Sequence, residues 1–212
     1  MNSEIIEKLK WRYATKKFDA SKKLSEEKLN ILKEAFNLTA TSYGLQPLKM
    51  LVISDPETKE QLMPFSMDQP QVRDASHVLV LCIEDKITPE YITQHFDRVE
   101  ASRKTSRNIL EPFEDFLVTS FSEKLPEEIS LWMINQAYLA MGNLLTVCAL
   151  VDIDACPMEG FDPEKYDELL QLRKIGLRSV LVLPVGYRAH DDEFSEMKKV
   201  RRGVEEVVIE ID

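Results

Sequence analysis

Two stretches near opposite ends of the chain carry the residues best suited to gripping an anion. Arg12, Lys16 and Lys17 lie near the start; Lys198, Lys199, Arg201 and Arg202 lie near the end. Arginine holds phosphate through two parallel hydrogen bonds, and lysine adds a point charge. A charge run is ordinarily a solvated face. Here Trp11, Tyr13 and Phe18 interleave the first cluster, so a partly buried segment is expected, and buried cations need an anion. The remaining chemical inventory is sparse. GxSxG, HExxH, GxGxxG and the Walker lysine loop are all absent. With only 6 glycines there is no glycine-rich cradle, so any phosphorylated ligand must be held by side-chain cations. His77, His95 and His190 are scattered. Cys82, Cys148 and Cys156 lack metal-ligand spacing, which argues for no metal site and for buried thiols in a reducing compartment.

The element that must organise these groups runs from Glu127 to Phe161. Pro126, Glu127 and Glu128 suit a first helical turn. Trp132, Met133, Ile134, Ala137, Tyr138, Leu139, Ala140, Met141, Leu144, Leu145 and the run Val147 to Val151 then leave no polar face, so a helix buried all round is expected. The run is long enough to span a bilayer, but Asn135, Gln136, Asn143 and Thr146 interrupt it and Asp152 and Asp154 flank it, which favours a core helix. Its exit, Cys156 to Phe161, is read as a loop delivered to a site, with Pro157 fixing φ and Gly160 permitting close approach.

Along the rest of the chain, Leu48–Ile53, Val78–Ile83 and Ser179–Val185 read as buried strands, and Val204–Ile211 as a strand-like run that must pair in its own sheet or a partner's. Ser25, Asp55 and Thr88 are placed to cap helices. From about 88 to 122 the pattern is helical and charged, an excursion from the main core marked by Phe113, Phe116 and Phe121. Few strands among many helices give an α/β or α+β class. The 212 residues are expected to form a single domain, 1–212. The net charge of −10 argues against nucleic acid and membrane surfaces as partners. Met1–Lys10 is charged and amphipathic rather than a signal segment, so a cytoplasmic location is the default.

Six segments in register across nearly the whole length resemble the FMN-dependent nitroreductase family of NAD(P)H oxidoreductases. They are Arg12 to Phe18, Ser42 to Pro47, Asp74-Ala75-Ser76, the helix with Gln136 and Gly142-Asn143, Pro157 to Phe161, and Lys199-Val200-Arg201. The resemblance implies an α+β, three-layer fold: a small, mostly antiparallel sheet flanked by helices around a long central helix, in a domain-swapped homodimer. It also implies two FMN sites at the subunit interface. Arg12, Lys199 and Arg201 match positions that hold the FMN phosphate, and Lys16 one near the ribityl chain and pyrimidine; Tyr13 and Ala14 lie in the same segment. Thr41, Ser42, Gly44 and Gln46 match a loop lent by the partner. Pro157, Met158, Glu159 and Gly160 match the segment along the flavin. Phe113, Phe116 and Phe121 are candidates for the substrate pocket.

The implied activity is hydride transfer from NADH or NADPH to FMN, then to a quinone, nitroaromatic, pterin or similar small acceptor, by a ping-pong mechanism. No catalytic side chain is required, because the flavin carries the chemistry. Departures are Ala14 for a usual serine, Asp68 for a usual asparagine and Gln71 for a usual lysine; Gln69 or Gln71 is expected to bond the ring instead. The alternatives are a specialised flavin enzyme of the same fold, such as a dehalogenase or desaturase, and a non-enzymatic dimer that binds an anionic ligand.

Overall fold

The computed structural model describes residues 2–211. Met1 and Asp212, the two ends of the 1–212 domain reading and the first residue of the Met1–Lys10 stretch, lie outside the described residues. Helices α1 (Asn2–Trp11) and α2 (Glu26–Asn37) precede strand β1 (Leu48–Ile53). Short helices α3 (Pro56–Leu62) and α4 (Pro70–Asp74) lead to β2 (His77–Glu84). A helical pair follows, α5 (Pro89–Arg103) and α6 (Arg107–Ser122), then the long α7 (Pro126–Leu150). The chain continues through β3 (Asp154–Ala155), α8 (Pro163–Leu169), β4 (Leu177–Gly186) and α9 (Val204–Val207). The expected caps form: Ser25 accepts from Lys28 N, Asp55 from Thr58 N and Thr88 from Tyr91 N.

The sheet has four strands in the order β1-β2-β4-β3, and every pairing is antiparallel. Successive residues of β2 point to opposite faces. Leu79, Leu81 and Ile83 join Leu181, Leu183 and Val185 against α7, α2 and the α5–α6 pair. Val78, Val80 and Cys82 join Val182 on the other face, against Phe18, Leu62, Cys156, Met158 and Tyr166. Both faces are therefore dry, which is why β2 over Val78–Ile83 and β4 over Val180–Val185 are apolar without alternation. This is the three-layer α+β arrangement expected from sequence.

Four expectations need correction. The helix α7 is not buried all round. Its inner face, Met133, Ala137, Ala140 and Leu144, packs on the sheet, while Leu131, Tyr138, Leu139 and Leu150 are exposed. By length and composition α7 is apolar enough to cross a membrane, but its polar groups have partners in the fold. Gln136 accepts from Ser42 N at 2.8 Å, and Asn143 donates to Ala35 O at 2.8 Å. Second, β1 is only partly buried, because it is an edge strand whose single partner is β2. Third, the run Val204–Ile211 is not a strand here: it forms the short α9 and an extended, exposed end, since no sheet edge of its own chain meets it. Fourth, α5 and α6 do not stand away from the core; Ile92, Phe96, Leu117 and Phe121 lie within the cluster around α7.

The join between β4 and the N-terminal segment is tight. A Cβ on Gly186 would meet Ser76 N at 2.9 Å and Phe18 Cδ1 at 3.2 Å. Gly186→Ala is expected to destabilise the protein by about 1–3 kcal/mol, read as a lower urea midpoint at unchanged slope; a midpoint equal to the parent's would show that Ser76 yields freely.

Candidate functional site

The segment after α1 is laid along the end of the sheet. Ala14 pairs with Ala155, Thr15 N donates to Ala155 O at 3.2 Å, and Phe18 pairs with Arg188. Asp19 N donates to Tyr187 O at 2.8 Å, and Ala189 N to Lys17 O at 2.9 Å. Buried Asp154 accepts from Arg188 N at 2.9 Å and Nε at 2.7 Å, and pairs with its Nη2 at 2.6 Å. The Arg188 guanidinium lies 4.3 Å from the Trp11 ring centre and 4.6 Å from that of Tyr13. The aromatic residues that interleave the basic cluster thus pack on a cation that Asp154 neutralises.

The C-terminal arm returns to this segment. Arg12, Tyr13, Ala14 and Lys16 line a cavity of about 280 Å³ together with Phe194, Met197, Lys198, Lys199 and Arg201. Lys199 Nζ donates to the carbonyl of Arg12. No carboxylate among the described residues lines the cavity. Burial lowers the pKa of Arg12, and Arg201 lowers it further against a small opposing effect of Cys148. Burial also lowers that of Lys199, helped by Arg12, Arg201 and Arg188. These are the marks of cations crowded together, a state an incoming dianion relieves. Residues of both basic clusters, from opposite ends of the chain, thus line one cavity.

The exit of α7 runs beside β4 and does not line the cationic cavity. Met158 N donates to Val182 O at 2.8 Å and Cys156 N to Pro184 O at 3.0 Å, so this segment extends the sheet beside β4. Tyr138 Oη donates to Glu159 Oε1 at 2.7 Å. A Cβ at Gly160 would meet Met67 Sδ at 3.2 Å and Gln69 Nε2 at 3.5 Å, so glycine here admits the 67–69 loop. It is Gln69, at 3.4 Å from Gly160 O, that reaches this segment. Gln71 is buried, with its Oε1 unpartnered among the described residues. Met67 and Asp68 carry φ of 55° and 53°, a strained turn for residues with side chains.

The loop Thr41 to Gln46 lies elsewhere in the same chain. Thr41 and Gln46 line a larger groove of about 940 Å³, with Lys33, Leu48, Lys49, Met50, Val52 and Arg98 among its other walls. Tyr43, Gly44 and Gln46 have φ of 58°, 70° and 48°. Tyr43 sits among Phe113, Phe121 and Trp132, with ring centres 6.3–6.4 Å away. Of the three phenylalanines proposed to face a substrate, Phe113 and Phe116 are exposed and stacked at 6.1 Å. Phe121 is 4% exposed and belongs to the core, which corrects its placement. Sequence reading gives Arg188 no role and Asp154 only a place flanking the apolar helix; their pairing across 34 positions leaves no mark in local spacing.

Known proteins frame this geometry. The model of the Nitroreductase family matches residues 9–187. The major NAD(P)H-flavin oxidoreductase of Aliivibrio fischeri is 32% identical, with 98% of this chain and 99% of that protein aligned. Among solved structures, a nitroreductase-like protein from Streptococcus mutans superposes with a TM-score of 0.87 at 21% identity, covering 100% of both chains. A protein from Exiguobacterium sibiricum, solved in complex with FMN, superposes with a TM-score of 0.84 at 19% identity over 98% of this chain and 97% of that one. The structural likenesses establish the fold, while the family match and the Aliivibrio relative, each spanning most of the sequence, establish descent: the chain belongs to the nitroreductase family.

Proposed function

We propose that this protein is an FMN-dependent NAD(P)H oxidoreductase that passes electrons by a ping-pong cycle to quinone, nitroaromatic, pterin or similar small acceptors. The observation that carries this reading is the convergence of Arg12, Lys199 and Arg201 on one cavity that no carboxylate balances. That donor set fits a phosphate monoester: a dianion meets two guanidinium groups and an ammonium. The name of the Aliivibrio relative and the FMN held by the Exiguobacterium protein point the same way. When bound, FMN supplies the hydride chemistry. The chain's own residues anchor and tune it. Arg12, Lys199 and Arg201 take the phosphate, Lys16 adds positive charge near the ribityl chain and pyrimidine, and Gln69 with Pro157 to Gly160 flanks the ring. Positive charge near the pyrimidine stabilises the negative charge that reduction places there.

A cavity of about 280 Å³ is small beside the roughly 300–1,000 Å³ of complete ligand sites, so it takes one end of a cofactor. The rest of the site comes from a second copy in this reading, with Thr41, Ser42, Gly44 and Gln46 contributed across a homodimer. The exposed apolar residues of α1 (Ile5, Ile6, Leu9) and α7 (Leu131, Tyr138, Leu139) supply the interface, and three free, buried cysteines suit the reducing cytoplasm.

The purified protein is expected to be yellow and to bleach under NADH or NADPH without oxygen. A preparation that stays colourless after FMN is added removes the reading. Bound FMN that neither nucleotide reduces would instead favour a non-enzymatic binding protein. Turnover with menadione and nitrofurazone separates a general reductase from a specialised dehalogenase or desaturase.

A further inference from the structure

The arm that carries Lys199 and Arg201 has few ties to the body of the protein. Among the described residues, the hydrogen bonds of residues 193–203 are local to the arm and its base, except the one from Lys199 Nζ to Arg12 O. What holds the base of the arm is Asp192, which is 2% exposed. Its Oδ2 accepts from Tyr13 Oη at 2.8 Å, Lys16 N at 2.9 Å and Lys17 N at 3.0 Å. Its Oδ1 accepts from Phe194 N at 3.2 Å. Tyr13, Lys16 and Phe194 all line the cationic cavity, whereas Asp192 does not. The carboxylate therefore stands behind the wall and holds it from both sides, N-terminal segment and C-terminal arm at once.

We propose that Asp192 is the positioning residue of the phosphate clamp, fixing where the Lys199–Arg201 arm stands relative to Arg12 without itself touching the ligand. This rests on the FMN reading above. Desolvation alone raises the Asp192 pKa, but the bonds from Lys17 N, Tyr13 and Lys16 N outweigh it and leave it below the ordinary carboxylate value, so the group is charged at neutral pH. Its neighbour Asp191 is a built-in contrast. Asp191 is exposed and pairs with Lys17 Nζ at 3.0 Å at the surface. Its removal changes net charge by the same amount and frees no cavity wall. An amide at position 192 cannot replace the carboxylate. With its oxygen towards Tyr13, its NH2 faces the Phe194 N–H; with the NH2 towards Tyr13, the N–H groups of Lys16 and Lys17 meet a donor.

The test compares FMN with riboflavin, which lacks the phosphate, by flavin fluorescence titration of the full-length protein. Asp192→Asn is expected to raise the FMN dissociation constant roughly 10- to 100-fold, leave that of riboflavin unchanged and leave near-UV circular dichroism intact. Asp191→Asn is expected to stay within about twofold for both ligands. Equal weakening of FMN and riboflavin in Asp192→Asn would mean a merely structural role and overturns the proposal. So does unchanged FMN affinity in that variant while the parent binds FMN, an outcome that leaves the FMN reading standing. A parent that binds neither flavin sinks both together. Should the Asp192 variants fail to fold, Tyr13→Phe removes one of the four bonds; a few-fold loss confined to FMN supports the proposal, and no such loss overturns it.

Discussion

Replacing Arg201 by alanine is expected to raise the FMN dissociation constant roughly 10- to 100-fold, the worth of a charge-assisted, two-point phosphate contact. The same change should leave the cofactor-free protein as stable as its parent or slightly more so. The opposite signs follow from one arrangement. In the empty cavity Arg12, Lys199 and Arg201 repel one another, and Arg201 contributes to the lowered pKa of both other groups. Removing one cation relieves that repulsion. With the phosphate bound, each cation is instead matched, and its loss leaves the dianion under-neutralised. Arg12→Ala should behave alike, and combining the two should strip the flavin on gel filtration. Added salt should weaken FMN binding in the parent more than in either variant, since fewer matched charges remain to be screened. Full flavin occupancy in Arg201→Ala would remove the phosphate assignment.

Much of this was legible before any coordinates. The strands β2 and β4 declared themselves as unbroken apolar runs, and three helix starts were marked by a capping side chain followed by proline or acids. The aromatic residues among the cations of the first cluster imply its burial, whereas its meeting with the C-terminal cluster is implied only by the family resemblance. Other features left no local trace. The two-residue β3 is too short to show a period and exists because β4 offers it an edge. The exposed side of α7 looks like core in sequence, because Leu131, Tyr138, Leu139 and Leu150 are as apolar as the residues of its covered face. The strained turns at Tyr43, Gln46 and Met67 involve residues with no intrinsic liking for positive φ, so only the surrounding packing specifies them. Asp192 escaped notice for a related reason: its importance comes from four donors supplied by chain positions far away or in ordinary loops.

Deleting the chain after Gly203 is expected to dissociate the proposed homodimer and, with it, to abolish flavin retention. The segment removed is apolar yet unprotected. Ile209 and Ile211 are 87% and 93% exposed, and Val204, Val207 and Val208 are also open to solvent. An isolated protein gains nothing from such a tail, and it invites aggregation unless something covers it. The complementary feature lies on the opposite flank of the sheet. Strand β1 is an edge with unpaired backbone groups, and the 940 Å³ groove beside it runs past Leu48, Met50 and Val52. Lys33, Lys49 and Arg98 outnumber Glu84 among the charged walls of that groove, while Glu205, Glu206 and Glu210 punctuate the tail. A tail from a second copy, added as a strand along β1, satisfies the backbone, the apolar side chains and the charges together. The same groove is walled by Thr41 and Gln46, so a tail that docks there also fixes the loop assigned to the neighbouring flavin. Sedimentation velocity should therefore show the dimer dissociation constant rising by about 100-fold or more, on the order of 3 kcal/mol. Ile209→Glu should move it in the same direction without shortening the chain, because it would place a charge in the apolar contact expected of the tail. A truncated protein that stayed dimeric and yellow would show that α1 and α7 hold the subunits without the tail. It would also mean that the exposed tail serves some other surface.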